Sequence, residues 1–202
     1  MSINLTSQEG MCSQSLDSRY NRMKITLVGH SQVPCLGEDF EGNIITTYKK
    51  GGANLWDLDN KFSPLYPALR ERTDVLVLFL GGNDVFLKNG PNQFVEPKVI
   101  KEKLRSVIIQ ARRVASRVLV CLLEDRDYSQ SRNPVWAANA EYYTRTAKQI
   151  NNSLNRRAKF LGYRCIHLGR HEFAARKADG VHFSKAAGTR VGHKILSAIR
   201  YC

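Results

Sequence analysis

Four short segments of the sequence carry residue types that are suited to acyl-transfer chemistry. They are residues 29–31 (Gly-His-Ser), 51–53 (Gly-Gly-Ala), 81–84 (Gly-Gly-Asn-Asp) and 179–182 (Asp-Gly-Val-His). A serine becomes a nucleophile when a histidine removes its proton, and a carboxylate holds that histidine in the productive tautomer. Glycine N–H groups and an asparagine amide can stabilise the resulting oxyanion. Together the segments contain the groups that a serine hydrolase requires.

Each segment alone is ambiguous. A serine after a glycine is common in turns, and a Gly-Gly pair is more often a plain turn than a binding loop. His182 is one of five histidines, and a surface or helix-capping role suits it equally well. A catalytic interpretation therefore requires a fold that brings the four segments together.

Hydrophobic patterning predicts five strands and shows where the segments lie. Short apolar or β-branched runs occur at residues 23–28, 43–48, 74–80, 117–123 and 163–168. The third and fourth runs are almost entirely apolar, which is typical of parallel strands that are covered on both faces by helices. Segments one, two and three each follow one of the first three runs, so each is expected where a strand ends.

Three longer stretches have apolar residues at helical spacing: residues 97–115, 134–161 and 184–199. Pro97 suits a first helical turn, Gly162 a C-terminal stop and Ser184 an N-cap. Strands and helical segments alternating throughout predict an α/β fold, a three-layer α/β/α sandwich around a five-stranded parallel sheet of the flavodoxin-like kind. Active sites in such folds lie beyond the carboxyl ends of the strands.

The order Ser, Gly, Asn, Asp-x-x-His resembles the SGNH (GDSL-type) hydrolase superfamily over about residues 23–200. This resemblance implies the SGNH hydrolase fold. It also implies a catalytic triad in which Ser31 is the nucleophile and His182 and Asp179 are its partners.

The resemblance further implies an oxyanion hole formed by the N–H groups of Ser31 and Gly52 and the side-chain amide of Asn83. Gly51 is the alternative for the second-block glycine. One residue departs from the family pattern, because the usual Gly-Asp-Ser reads Gly-His-Ser here. The family aspartate is not a triad member, so His30 leaves the nucleophile in place, although it could alter loop packing or titrate near the site.

The activity that the resemblance implies is hydrolysis of a carboxylic ester, with a small-molecule or lipid ester as substrate and no metal or organic cofactor. Loop 124–133 and the helix around Trp136 are expected to shape the pocket. Intracellular members with a basic surface also resemble esterase domains of animal retrotransposon proteins.

The charge suggests a second partner. The formal net charge is +13, and such a surplus favours weak binding to polyanions such as nucleic acid or acidic membranes. The resemblance also implies an alternative function, a non-catalytic module of the same fold that binds RNA or another polyanion, because a related domain of a germ-plasm organiser protein lacks the triad and binds RNA. The net charge supports this alternative. The joint presence of Ser31, Asn83, Asp179 and His182 favours the enzyme, because a pure binding protein does not need all four.

Composition limits the remaining possibilities. With 202 residues, 43% of them hydrophobic, the chain suits one domain, predicted at residues 23–202 after a flexible leader at 1–22. The leader lacks the apolar centre of a signal peptide, and no apolar run approaches the roughly 20 residues of a membrane helix. An intracellular protein, cytoplasmic or nuclear, is expected. The five cysteines are scattered and predict neither a zinc site nor a disulfide framework.

Overall fold

The computed structural model describes residues 22–88, 93–124, 126, 128–131, 133–168, 182 and 184–200. Residues 1–21 of the predicted leader lie outside the described residues. So does Asp179, the predicted carboxylate of the triad.

Six strands form one sheet in the order β2-β3-β1-β4-β5-β6. They are β1 (Lys24–Gly29), β2 (Asp39–Phe40), β3 (Asn43–Lys49), β4 (Thr73–Phe79), β5 (Ala115–Cys121) and β6 (Arg164–Ile166). Every neighbouring pair is parallel except β2–β3. The five predicted parallel strands are therefore confirmed. Without β2, their spatial order is the flavodoxin-like one, with the first strand second from the edge.

The sixth strand was not predicted. β2 is only two residues long and pairs antiparallel with β3 at the edge of the sheet. The turn between them has φ values of 47° at Glu41 and 77° at Gly42, as in the type I′ turns that suit two-residue hairpin loops. The prediction of a helical segment between every pair of strands is wrong here, since residues 30–42 contain this hairpin strand and no helix.

Four α-helices are present in the described part of the chain: α1 (Pro97–Val114), α2 (Pro134–Ala138), α3 (Ala140–Leu161) and α4 (Lys185–Arg200). The single helix predicted at 134–161 is divided at Asn139, whose side-chain amide donates to Val135 O at 2.7 Å. Such local side-chain hydrogen bonds compete with the helical backbone. As predicted, α3 ends at Gly162 in the left-handed conformation, and Ser184 Oγ accepts from Ala187 N at 3.2 Å.

The helices cover both faces of the sheet. On β4, Leu76 and Leu78 pack into a core with residues of α1 and α3, whereas Val75 and Val77 pack into a second core with residues of α4. This alternation follows from the two-residue repeat of a strand. The structure confirms the three-layer arrangement. No described helix combines the length and the apolarity that crossing a membrane would require.

Candidate active site

Ser31 lies at the carboxyl edge of the sheet, directly after β1. The chain leaves β1 at Gly29, where an added Cβ would lie 2.2 Å from Phe79 O on the neighbouring strand. Only glycine fits this close passage. His30 N then donates to Phe79 O at 3.2 Å, and this hydrogen bond fixes the turn on which partly buried Ser31 stands.

His182 meets Ser31 across 151 residues of sequence. Its Nε2 lies 2.9 Å from Ser31 Oγ, within hydrogen-bond distance. This is the distance over which a histidine can take a proton from a serine hydroxyl. His182 lies three residues before the start of α4. The predicted contribution of Asp179 falls outside the described residues and stays a prediction.

The second and third segments also come together at this edge. The amide Nδ2 of Asn83 donates to Ala53 O at 2.8 Å. Gly52, the residue before Ala53, is exposed and has a φ of 69°, a left-handed conformation that favours glycine. Because one amide hydrogen of Asn83 binds Ala53 O, the second can serve another acceptor.

Asp84 adds a parallel link between the same loops. Its Oδ1 accepts from Leu55 N at 2.9 Å, and its Oδ2 is buried without a hydrogen-bond partner in the described part of the protein. Burial raises the pKa of Asp84 to about 7. Two neighbouring residues, Asn83 and Asp84, thus hold loop 53–55 in a fixed position against the third segment.

The raised pKa of Asp84 predicts that the contribution of this residue to folding stability falls as pH rises. The unfolded chain releases the Asp84 proton near its ordinary pKa of 3.8, whereas the folded protein keeps it until about pH 7. The contribution of Asp84 to stability is therefore fully present below the lower value and is lost as pH rises through the higher one. Asp84→Asn keeps the acceptor for Leu55 N but cannot titrate.

Urea unfolding of the wild type and Asp84→Asn, compared between about pH 5 and about pH 8, checks this expectation. The free energy of unfolding of the wild type relative to the variant should fall by on the order of 2 kcal/mol. A relative stability that does not change with pH would contradict the expectation. Asp74→Asn, at an exposed carboxylate on the opposite edge of the sheet, is the control.

A buried ion pair, which was not predicted from the sequence, lies beneath the site. Arg126 Nη2 lies 2.6 Å from Glu124 Oε1, and the two side chains are 2% and 5% exposed. Arg126 Nη1 donates to Asn83 Oδ1 at 3.2 Å and to Tyr128 OH at 2.7 Å. The guanidinium therefore occupies the carbonyl side of the Asn83 amide and directs its NH₂ group toward Ala53.

The charges of this pair stabilise each other. Burial alone would raise the pKa of Glu124, but the positive charge of Arg126 outweighs that effect and lowers it. The pKa of Arg126 is raised, because its attraction to Glu124 exceeds the cost of burial. Gly82 makes room for the guanidinium, since an added Cβ there would lie 2.6 Å from Arg126 Nη2. Both residues are therefore charged in the folded protein.

His30, the departure from the family pattern, contacts this network. Its Nε2 lies 3.1 Å from Arg126 Nη2, and its Nδ1 lies 3.2 Å from Gln32 N. Burial and the Arg126 charge lower the pKa of His30 to about 3, so the imidazole is neutral at physiological pH. A neutral imidazole has one acceptor nitrogen, whereas both neighbours are donors.

The signal for this network was present in the sequence. Glu124 and Arg126 directly follow the apolar run 117–123, and charged residues at the end of a buried parallel strand point to the active-site edge. The sequence predicts a polar loop at 124–133 that shapes the pocket. In the structure Tyr128 is fully buried and packs edge-on against Tyr143 and Phe86, so part of this loop belongs to the core.

The fold and the site together define a class. A flavodoxin-like sheet with a serine and a histidine in contact at its carboxyl edge, and an asparagine after a neighbouring strand at the same edge, is the arrangement of the SGNH hydrolase fold. Residues 27–189 match the GDSL-like lipase/acylhydrolase family, and the chain belongs to this family. No curated protein matches the sequence significantly. Among the described residues, no group of three or more His, Cys, Asp or Glu could hold a metal ion.

Solved structures share the fold at low sequence identity. An acetylxylan esterase from Geobacillus stearothermophilus is 15% identical, with a TM-score of 0.59 over 87% of this chain and 93% of that one. A protein assigned to the SGNH hydrolases from Slackia heliotrinireducens is 15% identical, with a TM-score of 0.67 over 89% and 100%. A protein assigned to the acylhydrolases from Bacteroides fragilis is 14% identical, with a TM-score of 0.66 over 90% of this chain and 88% of that one.

Proposed function

We propose that the protein is a serine esterase that hydrolyses a carboxylic ester, either an acetyl or another acyl ester. The observation that carries this proposal is the 2.9 Å contact between His182 Nε2 and Ser31 Oγ. Membership of the GDSL-like lipase/acylhydrolase family supports the same reaction class. Reaction with a fluorophosphonate probe tests the proposal, because that reagent modifies only an activated serine.

In the proposed reaction, His182 removes the proton of Ser31 Oγ while Oγ attacks the ester carbonyl. Asp179 is assigned to the other imidazole nitrogen, where a carboxylate stabilises the imidazolium. As the tetrahedral intermediate collapses, His182 gives the proton to the leaving alcohol. A water molecule, activated by the same histidine, then hydrolyses the acyl-enzyme and regenerates Ser31.

The oxyanion of the intermediate is assigned to three donors: the N–H groups of Ser31 and Gly52 and the side-chain amide of Asn83. Two features of the structure support this assignment. The Asn83 amide is held on both sides, by Arg126 at its oxygen and by Ala53 at its nitrogen. Gly52 adjoins Ala53, so the same hydrogen bond places Asn83 next to the Gly52 loop.

The substrate class that we propose is a small-molecule or lipid ester. One structural neighbour is an acetylxylan esterase, which makes short acyl esters of sugars reasonable first substrates to assay alongside p-nitrophenyl acetate and longer p-nitrophenyl esters. The preferred acyl length will show whether the pocket accepts acetyl groups or lipid chains.

Replacing Asn83 by alanine should lower kcat by about 100- to 1,000-fold and change KM little, because an oxyanion donor acts mainly in the transition state. Steady-state kinetics with p-nitrophenyl acetate measure both constants. Asn155→Ala removes an exposed asparagine of α3 and should leave both unchanged. If Asn83→Ala raises only KM, Asn83 positions the substrate and is not an oxyanion donor.

A further inference from the structure

A basic cavity lies at the edge of the sheet opposite to Ser31. It has a volume of about 490 Å³ and is formed where β1, β4 and β5 begin and α1 ends. Its lining contains four cationic side chains, those of Arg22, Lys24, Arg72 and Arg113, and one carboxylate, that of Asp74. All four cationic residues are exposed. Positive charge therefore dominates this concave surface.

Among the described residues, most of this charge has no ion-pair partner. Arg22 forms an ion pair with Asp39, and Asp74 Oδ2 accepts a hydrogen bond from the backbone N–H of Lys24 at 2.8 Å. Within the described part of the chain, no carboxylate forms an ion pair with the side chain of Lys24, Arg72 or Arg113. Three cations from three different segments, none of them paired with a carboxylate of the described chain, thus surround one cavity.

Local structural roles do not account for this convergence. Arg113 lies in the last turn of α1, where a positive charge compensates the helix dipole. Lys24 begins a strand and Arg72 immediately precedes one, so neither has a helix end to stabilise. Lysines near the other edge, Lys50 and Lys103, are instead paired with aspartates. Gathering like charges without counter-charges raises the electrostatic energy, and an anionic ligand would lower it.

We propose that the basic cavity binds phosphate groups of a single-stranded nucleic acid. Arginine and lysine side chains are the usual partners of phosphodiesters, and a flexible single strand can enter a concave surface that a flat bilayer cannot follow. No residue in the lining is one of the exposed large apolar residues of the described structure, so the cavity offers charge without the apolar anchors of a membrane-binding surface. Binding here is separate from the site of hydrolysis.

Fluorescence anisotropy with a labelled oligouridylate tests the proposal. The wild type should bind at low salt, and log K should fall linearly with log salt by about 0.7 for each phosphate neutralised. Arg72→Ala/Arg113→Ala should weaken binding by about tenfold or more at 50 mM salt and reduce the slope by about 1.4. Its ester hydrolysis should be unchanged, because neither residue lies near Ser31.

A control variant removes the same amount of positive charge from another part of the surface. Arg145→Ala/Lys148→Ala lacks two exposed cations of α3 and should retain the affinity and slope of the wild type within about twofold. Equal losses in the two double variants would overturn the proposal, since only net charge would then matter. So would absence of binding at low salt, or binding to vesicles of anionic phospholipid without binding to the oligouridylate.

Discussion

Replacing Ser31 by alanine should abolish hydrolysis of short-chain p-nitrophenyl esters while leaving the fold intact. Loss of a serine nucleophile typically lowers kcat by about 10⁴- to 10⁶-fold, because no other group can form the acyl-enzyme. The stability should change little, since Ser31 is only partly buried and its hydroxyl contacts His182. Turnover by the purified variant and its thermal unfolding are the two measurements.

Ser106→Ala is the matched control, because it removes an exposed serine from the middle of α1. It should retain full activity and full labelling by a fluorophosphonate, whereas Ser31→Ala should lose both. Unchanged turnover in Ser31→Ala would sink the assignment of the nucleophile. Labelling of the wild type also separates the proposed enzyme from the alternative, a non-catalytic polyanion-binding module, which would not react.

Replacing Arg126 by methionine should affect both stability and catalysis. Glu124 would remain buried without a counter-charge, which typically costs about 3–5 kcal/mol of folding stability. Asn83 Oδ1 would lose its donor, so the amide could rotate away from the oxyanion, and we expect kcat to fall by about 10- to 100-fold with little change in KM. Arg126 is a positioning residue in this account.

A double variant separates the two effects. Glu124→Met/Arg126→Met removes both charges, and replacing a buried ion pair by apolar residues is often neutral for stability. It should therefore recover most of the lost stability but keep the low kcat, because Asn83 still lacks its donor. Recovery of both quantities would show that Arg126 has a purely structural role.

A surface ion pair provides the control for this experiment. Arg157 lies 3.5 Å from Glu102, with the side chains 42% and 51% exposed. Water screens such pairs, so Arg157→Met should change the free energy of unfolding by less than about 1 kcal/mol and leave kcat unchanged. Comparing this variant with Arg126→Met shows how much burial increases the contribution of an Arg–Glu ion pair to folding stability.

The sequence by itself determined the central strands and the order of the four candidate segments around them. The runs at 74–80 and 117–123 contain mostly apolar residues, and this composition requires cover on both faces, so the parallel sheet and its helical layers follow from it. Ser31 and Asn83 could be placed at one edge because parallel strands end on the same side.

Local sequence patterns are a poorer guide to secondary structure where an element is short, or where a side chain competes with the backbone for hydrogen bonds. β2 has only two residues, too few for an alternating pattern. The helix predicted at 134–161 has apolar spacing on both sides of Asn139, where the structure interrupts it and the Asn139 side chain donates to Val135 O. Such features arise from one or two contacts and leave no periodic signal.

Only the tertiary structure decided which polar groups meet. Arg126 contacts Glu124 nearby, but it also reaches Asn83 and His30 across 43 and 96 residues of sequence. The basic cavity likewise combines Lys24, Arg72 and Arg113, which have no local relation to each other. Contacts of this kind depend on how the strands are ordered in the sheet. A charged residue in the sequence does not show whether it will be buried against a partner or left unpaired at the surface.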